Sequence, residues 1–331
     1  MRIIVPMAGW GSRLRPHTLT VPKPMLKIAG KSIVERLISN ISNTVEEKIE
    51  SISFIIREDF GKEIENQLVN IATKYNTSAH ICYQDEPLGT GHAILCAQEQ
   101  LSGPVVVGFA DTMFDADFKI DTDSDAVIWV KQIPNPEAFG VIKLDEQGTI
   151  TEFIEKPKDF ISDLAIIGIY YFKDGKNLKD ELQFLIDKDM REKGEYQLTT
   201  AMEHMRQKGK VMRPGQVKEW LDCGNKNATV ESNTAILMAG NDSLMEGELT
   251  NSTIIQPCYI ESGVTIINAI VGPHVSIGTG SKIKNSVISN TIIQESSIIE
   301  NRILDNTMIG SKALVLGRAE DLSVGDFNQI Q

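Results

Sequence analysis

Between residues 277 and 315 the aliphatic residues Ile277, Ile283, Ile288, Ile293, Ile299, Leu304, Ile309 and Val315 follow one another at intervals of 6, 5, 5, 6, 5, 5 and 6. Three successive intervals advance the chain by sixteen residues. Ile277, Ile293 and Ile309 therefore share one column, Ile283, Ile299 and Val315 a second, and Ile288 and Leu304 a third. An amphipathic α-helix returns its apolar face every three or four residues and cannot carry this rhythm. A chain that turns one aliphatic inward every five or six residues makes a triangular coil, and stacked coils bury a continuous column. That is the logic of a parallel β-helix. Ile255, Ile260, Ile266 and Val271 continue the pattern upstream less regularly, and the polar last dozen residues predict a cap or a loose tail.

The first 225 residues have a different grammar. Ile3–Val5, Ile52–Ile56, Val105–Ala110 and Val127–Val130 read as buried strands. Between them, Ile33, Val34, Leu37, Ile38 and Ile41, then Ile64, Leu68, Ile71 and Tyr75, recur at helical spacing. Strands alternating with helices predict an α/β fold around a mostly parallel, Rossmann-like sheet. Phe139–Leu144 and Ile150–Glu155 flank the turn-forming Asp145-Glu146-Gln147-Gly148 and predict a hairpin. A helix over 225–238 stops at Gly240-Asn241. Two domains follow, 1–240 and 241–331.

A short loop carries the first chemical signal. After Ile3-Ile4-Val5 come Gly9, Gly11, Ser12 and Arg13, and ten residues on Lys23 lies between Pro22 and Pro24. Backbone N–H groups and fixed cations at the end of a strand suit the phosphates of a nucleotide. The loop is neither GxxxxGK[ST] nor GxGxxG. Asp111 ends the run VVVGFAD, and a carboxylate there faces the crevice where α/β proteins bind ligands. A net charge of −12 argues against a broad nucleic-acid surface. The four cysteines form no CxxC pair, which fits a reducing cytoplasm and speaks against a disulfide or metal framework. The apolar start is too short for a signal peptide, and no 18-residue apolar stretch predicts a membrane span.

The coupled set Gly-x-Gly-Ser-Arg…Pro-Lys-Pro resembles the signature of the sugar nucleotidylyltransferases, with Ala8 and Ser12 where that family commonly has glycine and threonine. QDEPLGTGHA at 84–93, EWLDCG at 219–224, and Phe139-Gly140 with Glu155-Lys156-Pro157 resemble three further family segments. The resemblance implies an α/β nucleotidyltransferase domain followed by a left-handed β-helix of hexapeptide-like repeats. It implies transfer of a nucleotidyl group to a sugar 1-phosphate with release of pyrophosphate. By it, Arg13 and Lys23 would be catalytic, and Ala8, Gly9, Gly11, Ser12, Gln84, Gly89, Thr90 and Asp111 would hold the nucleotide. Gly140, Glu155, Lys156 and Tyr170 would bind the sugar phosphate, and Asp111 and Asp222 would hold Mg²⁺. His92 reads as a packed helix residue.

By the same resemblance, the 84–93 segment implies a pyrimidine, hence dTTP or UTP, and the long β-helical form, which also occurs among thymidylyl-transferring members, implies glucose 1-phosphate. Two alternatives stay open. One is an added acyltransferase activity on the β-helix, where His274 is the one histidine of the repeats. The other is a non-catalytic sugar-nucleotide sensor, against which the full set of cations and carboxylates speaks. No nucleic acid or membrane partner is expected. An open β-helix has edges and faces to cover, which predicts a homo-oligomer.

Overall fold

The structure, a computed structural model, describes residues 1–45, 47–115, 123–240, 242–318 and 323–324. The polar tail expected at the C-terminus falls almost wholly outside them. Two compact units are present: Met1–Leu26 with Lys31–Asn225, and Lys27–Gly30 with the chain from Lys226 onward.

The first unit is built on a nine-stranded sheet. Its path runs Ile150–Glu155, Gly140–Leu144, Leu164–Phe172, Val105–Gly108, Arg2–Pro6, Ser51–Ile56 and Ser78–Tyr83, with Ala126–Gln132 branching from Leu164–Phe172 and Met212–Gln216 pairing with Ala126–Gln132. Arg2–Pro6 pairs in parallel with Ser51–Ile56 and Val105–Gly108, as the alternating pattern predicts. The sheet as a whole is mixed. Leu164–Phe172 runs antiparallel to Val105–Gly108, Ala126–Gln132 and Gly140–Leu144. Buried on both faces, its sequence LAIIGIYYF reads like a parallel core strand.

Alternation along the strands divides the core. Ile3 and Val5 pack with Leu37, Ile38 and Ile41 of the helix Ile33–Thr44 and with Leu68 and Ile71 of Gly61–Lys74. Ile4, Val107 and Ile128 pack with Leu178, Leu182 and Leu185 of Gly175–Asp187 and with Met202 and Met205 of Leu198–Gln207. The helix Ile33–Thr44 starts where Ser32 Oγ accepts from the Glu35 N–H at 3.2 Å. The Gly140–Leu144 and Ile150–Glu155 hairpin closes on Asp145, whose Oδ1 accepts from the N–H groups of Gln147 and Thr149 at 2.9 and 2.8 Å.

The second unit is a left-handed parallel β-helix preceded by the helix Lys226–Met238. That helix groups with the coils: Asn233 Nδ2 donates to the His274 carbonyl at 3.1 Å, and Ser276 Oγ donates to Asn233 Oδ1 at 2.5 Å. The compact division thus falls at Asn225, whereas the sequence places the boundary after residue 240. The three columns are in register. Ile277 pairs with Ile293 and Ile293 with Ile309, Ile283 with Ile299 and Ile299 with Val315, and Ile288 with Leu304. Upstream, Ile260, Ile266 and Val271 join the columns. Ile255 does not: it is 45% exposed, and Ile254 pairs with Val271 instead.

Each coil turns at a residue in the left-handed region. Asn251, Asn268, Asn285 and Asn301 have φ of 46°, 49°, 49° and 55°. Asparagine tolerates that conformation better than other side chains with a Cβ. Their amides form a ladder, each Nδ2 donating to the next Oδ1 at 2.9, 3.3 and 3.0 Å.

Candidate functional site

The glycine loop and Lys23 form one steric unit. Gly11 has φ 74°, and a Cβ there would lie 2.5 Å from Lys23 Cβ. A side chain at position 11 would therefore be strained and would displace the lysine stem. The same turn receives a hydrogen bond from Thr18 Oγ1 on the Gly11 carbonyl at 2.9 Å. Pro22 precedes the 3₁₀ turn Lys23–Met25, which buries Lys23 and brings its Nζ to 3.2 Å from Asp111 Oδ2.

Asp111 and Asp222 are brought together by a two-stranded ribbon. Thr112–Asp115 pairs antiparallel with Glu219–Asp222, opposing Asp222 to Thr112, and the Cys223 N–H donates to the Asp111 carbonyl at 3.2 Å. Asp222 Oδ1 accepts from the Gly224 N–H at 3.0 Å. Burial raises the Asp222 carboxyl above its ordinary value. The Asp111 charge adds to the rise, and Lys23 and Arg13 oppose it.

The sign has a consequence for stability. A carboxyl whose folded pKa is raised is least at ease when ionised, so the penalty is present at neutral pH and fades as pH falls through the folded pKa. Asp222→Asn keeps the acceptor for Gly224 and removes the charge. Its melting temperature in metal-free buffer at neutral pH should rise above that of wild type. The gain should shrink on acidification. An unchanged or lower midpoint in thermal denaturation would sink this account.

Two cavities adjoin. The larger, about 510 Å³, is lined by Ala8, Gly9, Gly11, Ser12, Lys23, Gln84 and Gly89. The smaller, about 280 Å³, is lined by Gly140, Glu155, Lys156, Tyr170 and Asp222. Arg13, Thr90, Phe109, Asp111 and Glu195 line both. The structure thus gathers the candidate nucleotide, sugar-phosphate and metal residues around two adjoining spaces, with one cation, Arg13, and two carboxylates, Asp111 and Glu195, lining both. A wider groove of about 690 Å³ on the β-helix is lined by asparagines and aliphatics, with Arg302 its one charged residue.

In the larger cavity, Gly89 has φ 112°, and a Cβ there would lie 2.6 Å from the Tyr196 carbonyl oxygen. Gly89 is the residue before the helix Thr90–Leu95. Thr90 Oγ1 donates to Gln197 Oε1 at 3.1 Å and accepts from the Leu198 N–H at 2.9 Å. In the smaller cavity, Glu155 is held by Thr199 Oγ1 at 3.1 Å and lies 3.3 Å from Lys156 Nζ. Lys156, with φ 46°, sits where the strand ends. Tyr170 is buried, and its hydroxyl is pushed far up by burial and then by Glu155 and Asp111, so it stays protonated as a donor.

Sequence reasoning missed the segment 195–199. Glu195 lines both cavities, while Gln197 and Thr199 line the smaller and tie Thr90 and Glu155 in place. The available signal was a polar stretch just before a helix, which reads equally well as a cap. Phe139 and Trp220, also in the smaller cavity, meet edge to face at 4.8 Å.

Residues 3–238 match the nucleotidyl transferase family. The chain belongs to that family. Residues 234–328 match the GlmU-like C-terminal hexapeptide family. The chain is 30% identical to "Bifunctional protein GlmU" of Methanococcus aeolicus, across 87% of its own length and 73% of the relative's. It is 28% identical to "Low-salt glycan biosynthesis nucleotidyltransferase Agl11" of Haloferax volcanii, over the whole of both chains. With "Glucose-1-phosphate thymidylyltransferase" of Streptomyces antibioticus it shares 27% identity across 88% of its length and 87% of the relative's. Of the protein named GlmU from Methanocaldococcus jannaschii the chain spans 61%. This nucleotidyltransferase is an enzyme of the sugar-phosphate class. Among the described residues no helix is long and apolar enough to cross a membrane.

Proposed function

We propose that the enzyme joins a thymidylyl or uridylyl group from dTTP or UTP to glucose 1-phosphate and releases pyrophosphate. The observation that carries this reading is the pair of cavities sharing Arg13 and Asp111. One has a glycine-rich wall with a buried lysine, and the other a Glu–Lys pair beside a protonated tyrosine. A triphosphate in the first and a sugar phosphate in the second would meet at the shared residues. The name of the Streptomyces relative supports the nucleotide and sugar chosen.

The sugar phosphate is already an anion at neutral pH and needs no activating base. The problem is to bring two polyanions together, which fixed cations in a partly closed site do well. Arg13 would grip phosphate oxygens with its planar fork, and Lys23 would act as a point charge on the triphosphate. The backbone around Gly9, Gly11 and Ser12 would hold the departing pyrophosphate. Glu155 and Tyr170 would bind sugar hydroxyls, and Lys156 the sugar phosphate.

The donor set suits a hard divalent cation. Burial, and after it the nearby Asp111 charge, raises the Asp222 carboxyl, a penalty on its ionised form that a bound cation would relieve. No group of three metal-ligating side chains occurs among the described residues, so phosphate oxygens and water would complete the shell, as Mg²⁺ prefers. Bound there, Mg²⁺ would neutralise phosphate charge and polarise the α-phosphoryl group. A β-helix with open ends also supports a homo-oligomer.

The test is pyrophosphate release from five nucleoside triphosphates, each paired with glucose 1-phosphate or its N-acetylamino analogue. Release with dTTP or UTP and glucose 1-phosphate is expected, and release confined to purine nucleotides would overturn the reading. A parallel reaction with acetyl-coenzyme A and an amino-sugar phosphate, read as free thiol, examines the added acyl transfer. The GlmU-like match of the β-helix is what keeps that second reading open. In the structure His274 Nδ1 sits 2.9 Å from Asn290 Oδ1, as part of the coil turns.

A further inference from the structure

Gln84 is buried at the wall of the larger cavity, and its N–H donates to the Ile56 carbonyl at 2.8 Å. Its side-chain nitrogen lies 3.1 Å from the Gly89 carbonyl oxygen and 3.0 Å from Nδ1 of His92. The Gly89 carbonyl can only accept, so the amide group facing it must be the NH₂. The second NH₂ proton then meets His92 Nδ1, which must offer a lone pair. That makes His92 the neutral tautomer protonated on Nε2. Burial holds the His92 imidazole below its ordinary pKa, opposed by Glu86, so the neutral ring is its resting form. Both protons of the amide are used, and Oε1 has no partner among the described residues. His92 itself does not line the cavity and stands behind Gln84.

We propose that His92 is a positioning residue that sets the direction of the Gln84 amide, presenting its carbonyl oxygen to the nucleobase. An acceptor there pairs with the N3–H of thymine or uracil. It opposes cytosine, whose N3 carries a lone pair. The inference rests on the reading of the larger cavity as the nucleotide pocket, and deepens it. Without the Nδ1 acceptor only the Gly89 carbonyl still holds the NH₂, so the amide is less firmly oriented and the pocket tells an N–H from a lone pair less well. The loss appears in nucleotide recognition and leaves the sugar side untouched.

The experiment compares wild type, His92→Leu, His92→Asn and Gln84→Ala in steady-state assays with dTTP, UTP and CTP at saturating glucose 1-phosphate. Wild type is expected to prefer dTTP or UTP over CTP. In His92→Leu the KM for the preferred nucleotide should rise about tenfold, the worth of one hydrogen bond, and the preference over CTP should narrow by a similar factor, with the Gly89 carbonyl contact remaining. The KM for glucose 1-phosphate should not move. In His92→Asn, whose amide oxygen can stand in for Nδ1, the preference should return to within about twofold of wild type, given the same bond. The smaller His92→Ala carries the expectation of His92→Leu if the leucine variant does not fold. A folded His92→Leu with unchanged preference, or a His92→Asn no better than it, overturns the proposal and leaves the nucleotide reading intact. Unchanged preference in Gln84→Ala overturns both.

Discussion

Lys23→Met should lower kcat/KM for nucleotidyl transfer by about 10²–10³, roughly 3–4 kcal/mol of lost transition-state stabilisation. Methionine keeps an unbranched stem against Gly11 and removes only the charge, so the far-UV circular dichroism and the melting curve should be close to those of wild type. The magnitude follows from where the ammonium lies. It is buried and fixed 3.2 Å from Asp111, at the wall of the larger cavity. A fixed cation in a partly desolvated site needs no reorganisation when charge builds on the leaving phosphate. If Lys23 serves only to neutralise Asp111, the double variant Lys23→Met with Asp111→Asn should be no more impaired than Asp111→Asn alone. A double variant equal to Asp111→Asn would end the catalytic assignment of Lys23. A double variant clearly more impaired than Asp111→Asn is the expected result.

The second large effect lies in the repeats. Ile283→Asp should cost on the order of 4 kcal/mol or more, because an unpaired carboxylate would enter a closed aliphatic column. Ile283 is 1% exposed and is paired above and below with Ile266 and Ile299. Lys282→Asp, one residue away on the exposed side of the same strand, should move the midpoint by no more than about 0.5 kcal/mol. Chemical denaturation of the full chain, followed by circular dichroism, distinguishes the two. Equal effects at 282 and 283 would refute the inward assignment of the column.

Much of this architecture could be read from residue spacing, because a β-helix writes its geometry directly into the chain. The error at Ile255 shows the limit. Coils above Val271 use three residues, Gly272-Pro273-His274, where the next coil uses two, Ser289-Asn290. The period lengthens from sixteen to seventeen there, and Ile254 takes the inward place. In the first unit, hydrophobicity marked Leu164–Phe172 as buried but carried no information on its direction, since a strand covered on both faces looks the same either way. The site shows the same division. Gly11 and Lys23 could be linked because a short loop holds both, and the structure supplies the reason, a lysine stem on a bare Cα. Glu195, Gln197 and Thr199 reach the cavities from more than a hundred residues beyond the glycine loop, with no spacing that signals it.

The register of the β-helix also sets how that unit gains and loses order. Strands within the stack pair with partners sixteen or seventeen residues away. Closing each coil therefore costs nearly the same modest loop entropy, and no single long-range closure must come first. Order can grow by adding one coil to the next, as a zipper does. Among the described residues the strand Leu314–Leu316 pairs only with Ile298–Glu300, so opening is expected to begin at that end of the stack and to pass inward one coil at a time.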